Sequence, residues 1–343
     1  MTVLVTGGAG FIGTHICVEL LMSGHGCIAA DNLSNSCLEA VKRVEEIAGR
    51  ILPFYEIDVR DEDKLDIIFK EHAIDAVIHL AGLKAVGESV SMPLEYYSCN
   101  LNVTLSVLKA MKKNNVKSFV FSSSATVYSA GNSMPLAEEA ACGGCSNPYG
   151  WTKFMGEIIA RDAAHAYPEM SVVLLRYFNP IGAHESGRIG EDPLGIPNNL
   201  VPFISQTAIG KREKVMVYGN DYDTPDGTGV RDYLHVVDLA KAHIAAVDYS
   251  VKHRGVEVFN LGTGKGASVL EIIEAYRRVN SVEIPYEIAG RRPGDLAVCF
   301  ADPAKARRVL AWRAERNLDE MVRDSYRWQK SNPNGYHEDG GIA

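Results

Sequence analysis

The segment Thr6-Gly7-Gly8-Ala9-Gly10-Phe11-Ile12-Gly13 constrains this chain more than any other. It joins an apolar run, Val3-Leu4-Val5, to a helical pattern over residues 11–23. Further short apolar runs follow at residues 27–30, 53–57, 76–80, 118–121 and 172–175. Helical patterns near 37–49, 61–71, 93–114 and 149–166 separate them. The runs show no polar alternation, so they read as strands buried on both faces. Strand and helix in alternation, joined by right-handed crossovers, predict an α/β chain with a doubly wound, Rossmann-type parallel sheet.

After Phe178 the pattern breaks. Residues 179–230 are rich in Gly, Pro, Asn and Asp and hold few regular runs. They read as a smaller, interleaved α/β substrate domain. Residues 256–261 form another buried strand, expected to rejoin the main sheet, with helices near 268–279 and 318–330. The expected division is 1–178 for the cofactor half, with about 232–265 returning to it, and 179–338 mainly for the substrate half. The tail from Ser331 reads as frayed. The formal net charge of −8 and a pI near 5.7 argue against nonspecific binding to nucleic acid or anionic membrane. Met1-Thr2-Val3-Leu4-Val5-Thr6 has no basic or apolar signal region, and no long apolar run suggests a membrane span. Seven cysteines, odd in number and scattered, suit a reduced cytoplasmic protein.

Gly7, Gly10 and Gly13 give the spacing GxxGxxG. Gly7 permits the tight turn, Gly10 lets backbone approach a pyrophosphate, and Gly13 lets the helix lie close to the sheet. The helix start adds free N–H groups and partial positive charge. Asp31 ends the second strand. Its carboxylate can accept from adenosine ribose hydroxyls and would repel a 2′-phosphate, which favours NAD over NADP.

Tyr149 and Lys153 lie four residues apart, on one face of a helix. An ammonium beside a phenol favours phenolate. Bringing a tyrosine from ~10 toward ~7 takes about 4 kcal/mol, which Lys153 and a nicotinamide charge together would supply. The product is a base for an alcohol proton at neutral pH. Alone, such a pair is an ordinary surface feature. Ser124, in Ser122-Ser123-Ser124-Ala125 at the carboxyl end of the fifth strand, strengthens it, because ligands bind along that edge.

Together these residues resemble the extended short-chain dehydrogenase/reductase family. Longer runs are similar to its UDP-glucose 4-epimerase branch: Ala81-Gly82-Leu83-Lys84-Ala85-Val86-Gly87-Glu88-Ser89, Leu175-Arg176-Tyr177-Phe178-Asn179-Pro180, Gly195-Ile196-Pro197-Asn198-Asn199-Leu200, and Tyr218-Gly219-Asn220-Asp221-Tyr222 through Arg231-Asp232-Tyr233. The resemblance implies an NAD-dependent isomerase that interconverts UDP-galactose and UDP-glucose through a 4-keto sugar. Tyr149 would be the base, Lys153 its tuner and a ribose contact, and Ser124 a partner of the 4-oxygen. Phe11, Ile12, Asp31, Asn32 and Asn35 would hold the adenosine half and pyrophosphate. Asp58 and Val59 would flank adenine, Leu80, Ala81, Gly82 and Lys84 the cofactor's middle, and Phe178 the nicotinamide. Lys84 would also reach the substrate. Tyr177 and Asn179 would lie beside the sugar and first phosphate, and Asn199 and Leu200 beside the diphosphate and nucleoside. Met216, Val217 and Tyr218 would receive uracil, Arg231 and Arg292 the diphosphate, and Asp295 the uridine ribose. The plainer alternative for Arg231 is an ion pair with Asp232 or Asp238, and for Arg291-Arg292 a solvated pair. The resemblance also implies a homodimer paired through the helices at 93–114 and 149–166.

Two departures stand out. Cys99-Asn100 replaces two asparagines, which puts a cofactor hydrogen bond in doubt. Cys299 stands where a bulky Tyr is common; the smaller side chain leaves room, so UDP-GalNAc and UDP-GlcNAc are expected to fit as well. Rival readings are a nucleotide-sugar 4,6-dehydratase, which would need an Asp-Glu pair where Ala125-Thr126 stand, and a non-catalytic NAD-sensing module. Cys142-Gly143-Gly144-Cys145 reads as a surface loop, Gly262-Thr263-Gly264-Lys265-Gly266 as a strand-to-helix turn, and His79 as a satisfied core histidine. No metal spacing occurs among the histidines.

Overall fold

The computed structural model describes residues 1–292 and 294–337. Its first part runs β1 (Thr2–Thr6), α1 (Phe11–Met22), β2 (Gly26–Asp31), α2 (Leu38–Ala48), β3 (Phe54–Glu56) and α3 (Glu62–Glu71). Next come β4 (Ala76–His79), α4 (Val86–Ser91), α5 (Pro93–Lys113), β5 (Ser118–Ser122), α6 (Pro148–Ala166) and β6 (Ser171–Tyr177). Then follow β7 (Asn179–Ile181), α7 (Leu200–Ala208), β8 (Val215–Tyr218), β9 (Val230–His235), α8 (Val236–Ser250) and β10 (Gly255–Leu261). The last elements are β11 (Gly266–Ser268), α9 (Val269–Asn280), β12 (Tyr286–Ala289), β13 (Val298–Cys299), α10 (Ala304–Val309) and α11 (Leu318–Ser331).

Seven strands form the main sheet in the order β3-β2-β1-β4-β5-β6-β10, and every neighbouring pair is parallel. Alternate residues of one strand enter two different cores, which explains the unbroken apolar runs. Val3 and Val5 pack with Ile16 of α1, Val44 of α2 and Leu239 of α8. Leu4 packs on the other face with Ile68 of α3, Val107 of α5 and Ala160 of α6. The strand order reverses between β1 and β4, which opens a crevice at their carboxyl ends. A third core, built from α7, β8, α9 and α11, centres on Ile204, Val217, Tyr276 and Val322.

Residues 179–230 are more regular than the sequence suggests, because β7, α7 and β8 fall there. Pro202 masks α7, yet it sits in the first turn, where a missing N–H costs nothing. The frayed tail is also corrected: Tyr336 is buried, with its hydroxyl bonded to Gly190. Residue 338, the expected end of the substrate half, lies outside the described residues.

Candidate functional site

β1 is followed by Gly7, whose φ of +73° lies in the left-handed region. A Cβ there would sit 2.9 Å from Ala81 N, so the glycine turn presses directly on the loop after β4. At Gly13 a Cβ would lie 2.2 Å from Gly7 O, which leaves no room for a side chain between turn and helix. Gly10 caps α1 without a side-chain bond, and the first turn holds no acid. The N–H groups there face the crevice end of the sheet with the helix dipole behind them, the chemistry that suits a pyrophosphate. Asp31 accepts from Ala9 N at 3.1 Å, Leu33 N at 2.9 Å and Ser36 Oγ at 2.9 Å. Its carboxylate is thus fixed against the glycine turn. This donor set fits a dinucleotide whose ribose carries free hydroxyls.

Further along the crevice, Asp58 forks onto Arg60, and that guanidinium holds its carboxyl below the usual range. Asn32 lies near the same carboxylate and favours its ionised form, while Asn35 is exposed on the turn after β2. Phe11 and Ile12 are partly buried at the start of α1, and Val59 is buried. Leu80 N donates to Thr6 O, and Gly82 lies against Asn100. Asn100 accepts from Leu83 N at 2.8 Å and donates to Leu83 O at 3.0 Å and Thr152 Oγ1 at 2.9 Å. The retained asparagine therefore ties the 80–85 loop to α6. Cys99 faces the Asp58–Arg60 pair, and burial raises its thiol pKa.

Asn147 caps α6 by accepting from Gly150 N at 2.8 Å, with Pro148 at the first helical position. Gly150 is required there, since a Cβ would lie 2.9 Å from Thr126 O. The helix start thereby meets the turn carrying Ser124, whose Oγ accepts from Thr126 N at 3.2 Å. Lys153 is buried; its Nζ donates to Ser122 O at 2.7 Å and lies 5.8 Å from the centre of the Tyr149 ring. Burial pushes the Tyr149 phenol above its ordinary value, and the nearby Ser124, which favours the ionised form, does not offset it. Burial also pushes Lys153 down to about 8. Lys153 without the nicotinamide charge does not offset the burial of Tyr149, because desolvation penalises both charged forms. Within the protein alone the pair is ammonium and neutral phenol at pH 7.

Three residues behind this trio escaped the sequence reading. Glu157, one turn beyond Lys153, accepts from Ser123 Oγ at 2.6 Å and from Arg176 Nε and Nη2 at 2.8 and 2.7 Å. All three are buried. They lock α6 to the end of β5 next to Ser124. The only sequence signal was the i, i+4 spacing from Lys153.

Of the expected nucleotide residues, Tyr218, Arg231, Arg292 and Asp295 come together. Tyr218, at the end of β8, lies under Arg292, whose Cζ is 5.0 Å from the ring centre. Asp295 takes Arg292 Nε at 2.9 Å and Arg231 Nη2 at 3.8 Å. Arg231 thus pairs with Asp295, not with Asp232 or Asp238. Asp232 instead accepts from Thr263 N, Gly264 N and Ala301 N, which fixes the 262–266 link between β10 and β11, and Asp238 holds Arg316. Arg291 is bound to Asp221 at 2.7 Å. Met216 and the buried Val217 lie on β8, whose ladder is with β12. Tyr177 is buried with its hydroxyl bonded to Ser122 at the end of β5, near Tyr149. Asn179 is exposed on β7; Asn199 and Leu200 open α7. Phe178 packs in one small cluster with Cys299, which places that thiol near the Ser124 turn.

The remaining motifs are structural. His79 is buried between Thr6 Oγ1 at 2.8 Å and Thr104 Oγ1 at 3.3 Å, and burial lowers it to about 3. The Cys142 and Cys145 thiols are raised by burial, the latter to about 11, opposite to what a reactive thiol needs.

The sequence profile of the NAD dependent epimerase/dehydratase family matches residues 3–262. The chain belongs to this family. Among its epimerase/dehydratase relatives, the UDP-glucose 4-epimerase of Bacillus subtilis (strain 168) is 58% identical over 336 residues, 98% of this chain and 99% of that one. That of Pasteurella multocida (strain Pm70) is 53% identical over 338 residues, 98% and 100% of the two chains. The crystal structure of UDP-glucose 4-epimerase from Bifidobacterium longum, in complex with NAD+ and UDP, matches with a TM-score of 0.95 at 56% identity, covering 98% and 100%.

Proposed function

We propose that this chain is an NAD-dependent UDP-glucose 4-epimerase, an isomerase that interconverts UDP-galactose and UDP-glucose. What supports the reading is that Ser124, Tyr149 and Lys153 come together where the end of β5 meets the start of α6. Gly7, Gly10, Gly13, Asp31 and Lys84 would hold NAD, which when bound supplies a reversible hydride acceptor. Tyr149, raised by burial, would ionise more readily beside a positive charge held there. Tyr149 then takes the proton of the sugar 4-hydroxyl, relayed by Ser124, and Lys153 holds the charge balance and a ribose. The 4-keto sugar would turn within the pocket, and Tyr149 would return the proton to its 4-oxygen. Arg231 and Arg292 exchange Asp295 for diphosphate oxygens, with guanidinium forks suited to both.

The reading extends to four finer statements. The small Cys299 side chain leaves space for a 2-acetamido group, so UDP-GlcNAc and UDP-GalNAc are substrates too. Exposed Leu94 on α5 and Met155 and Ile158 on α6 give neighbouring helices an apolar surface for a homodimer. The cofactor half comprises 1–178 with about 232–265 returning to it, and the substrate half most of the rest. Seven free cysteines suit the cytoplasm; among the described residues, no helix is long and apolar enough to cross a membrane.

Incubation with UDP-galactose and no added NAD tests the core reading, with products separated. Tyr149→Phe is expected to lose most turnover while keeping its bound dinucleotide. Equal turnover in that variant would sink the mechanism, and a 4-keto-6-deoxy product would reassign the chain as a dehydratase.

A further inference from the structure

We propose that Glu191 is a positioning residue that aligns the two halves of the cleft through one carboxylate oxygen. This rests on the reading of Lys84 as a cofactor-side group and Asn199 as a nucleotide-side group. Glu191 Oε1 lies 3.0 Å from Lys84 Nζ and accepts from Asn199 Nδ2 at 2.9 Å. Lys84 stands on the loop after β4, which abuts the glycine turn, and Asn199 immediately precedes α7. Among the described residues, neither side chain makes another hydrogen bond or ion pair. The single oxygen therefore decides where both groups point.

Glu191 is itself held from behind. Gly190 lies flat on Trp328, where a Cβ would come within 2.4 Å of Cγ. Trp328 Nε1 donates to the Glu191 carbonyl at 3.2 Å. The Tyr336 hydroxyl bonds the N–H and the carbonyl of Gly190, and Tyr336 N donates to Asp192 at 2.9 Å. Three consecutive residues are thus anchored to α11 and the segment after it without using the Glu191 carboxylate. That carboxylate is free to act forward, and its side chain is only 9% exposed while that of Lys84 is 50% exposed. A lysine stem has much rotamer freedom to lose on meeting a ligand. Glu191 removes that freedom beforehand, which is preorganisation.

The test uses the purified holoenzyme and its Glu191→Gln, Glu191→Ala, Lys84→Ala and Asn199→Ala variants, with the Glu191/Lys84 and Glu191/Asn199 double changes. Turnover of UDP-galactose and the affinity for UDP are both measured. Glu191→Ala is expected to raise KM and weaken UDP binding about tenfold, the scale of one charge-assisted hydrogen bond, with a smaller change in kcat. Glu191→Gln, which keeps an acceptor for Asn199, should recover part of that loss. In the Asn199→Ala and Lys84→Ala backgrounds the same change should cost much less, because coupled residues are not additive. Full additivity in both cycles, or a lowered Tm with KM and UDP affinity unchanged, overturns the proposal. If wild-type enzyme does not epimerise UDP-galactose, the functional reading fails instead, and the UDP cycles still decide the role of Glu191.

Discussion

Replacing Lys153 with methionine should abolish turnover and at the same time stabilise the dinucleotide-free protein. The lysine is buried, with Ser122 O as the acceptor for its ammonium. Burial lowers its pKa from 10.5 to about 8. At ~1.4 kcal/mol per pH unit, the charged form is disfavoured by about 3 kcal/mol relative to the unfolded chain. Methionine keeps most of the volume and removes the charge, but leaves Ser122 O without that donor, at a cost of about 1 kcal/mol. The net expectation is a gain of about 2 kcal/mol at pH 7. Between about 8 and 10.5 the unfolded chain holds a proton that the folded one has released, so wild-type stability rises with pH across that window. Below about 8 the penalty is present in full. Urea denaturation of both proteins at pH 7 and near pH 10 measures it: the two should converge at the higher pH. A Lys153→Met variant less stable than wild type at pH 7, or a stability gap independent of pH, would refute the argument. Under the proposed function, such a lysine would be kept for chemistry against the interest of the fold.

Glu157→Ala strands the buried Arg176 guanidinium and should cost about 3–5 kcal/mol in urea denaturation, whereas Glu157→Met with Arg176→Met should cost clearly less. Equal losses would mean that the pair contributes no more than packing. Cys299→Tyr should depress turnover of UDP-GlcNAc far more than that of UDP-glucose; parallel losses in competing assays would remove the steric explanation. Leu94→Asp combined with Ile158→Asp should turn a dimer into a monomer in sedimentation at micromolar concentration, and a dimer that survives would move the interface elsewhere.

What the sequence revealed was whatever depends on near neighbours. The glycine turn, Asp31 and the Tyr149–Lys153 spacing are local, so their chemistry is written within a few residues. The packing of Val3, Leu4 and Val5 into opposite cores was legible for the same reason. Glu157 and Glu191 were not, because their partners Ser123 and Lys84 lie 34 and 107 residues away and no short pattern joins them. Helix α8 was hidden by its own burial. Val236, Val237, Leu239, Ala240, His243 and Val247 are all enclosed, so no polar face marks the helical period. Tyr336 was misread because the Asn-Pro-Asn-Gly turn before it signals a loose end, while a buried ring beyond the turn fastens it.

The outermost strand of the main sheet, β10, is contributed by residues 255–261 and covers the flank of β6. During synthesis, about three quarters of the polypeptide must therefore leave the ribosome before that edge acquires its neighbour. Until then the growing chain displays a bare row of amides and carbonyls beside Val172, Val173 and Leu174, a template for pairing with other nascent chains. A fragment ending near residue 178 should consequently be sticky in isolation, although it carries the whole glycine turn and Tyr149.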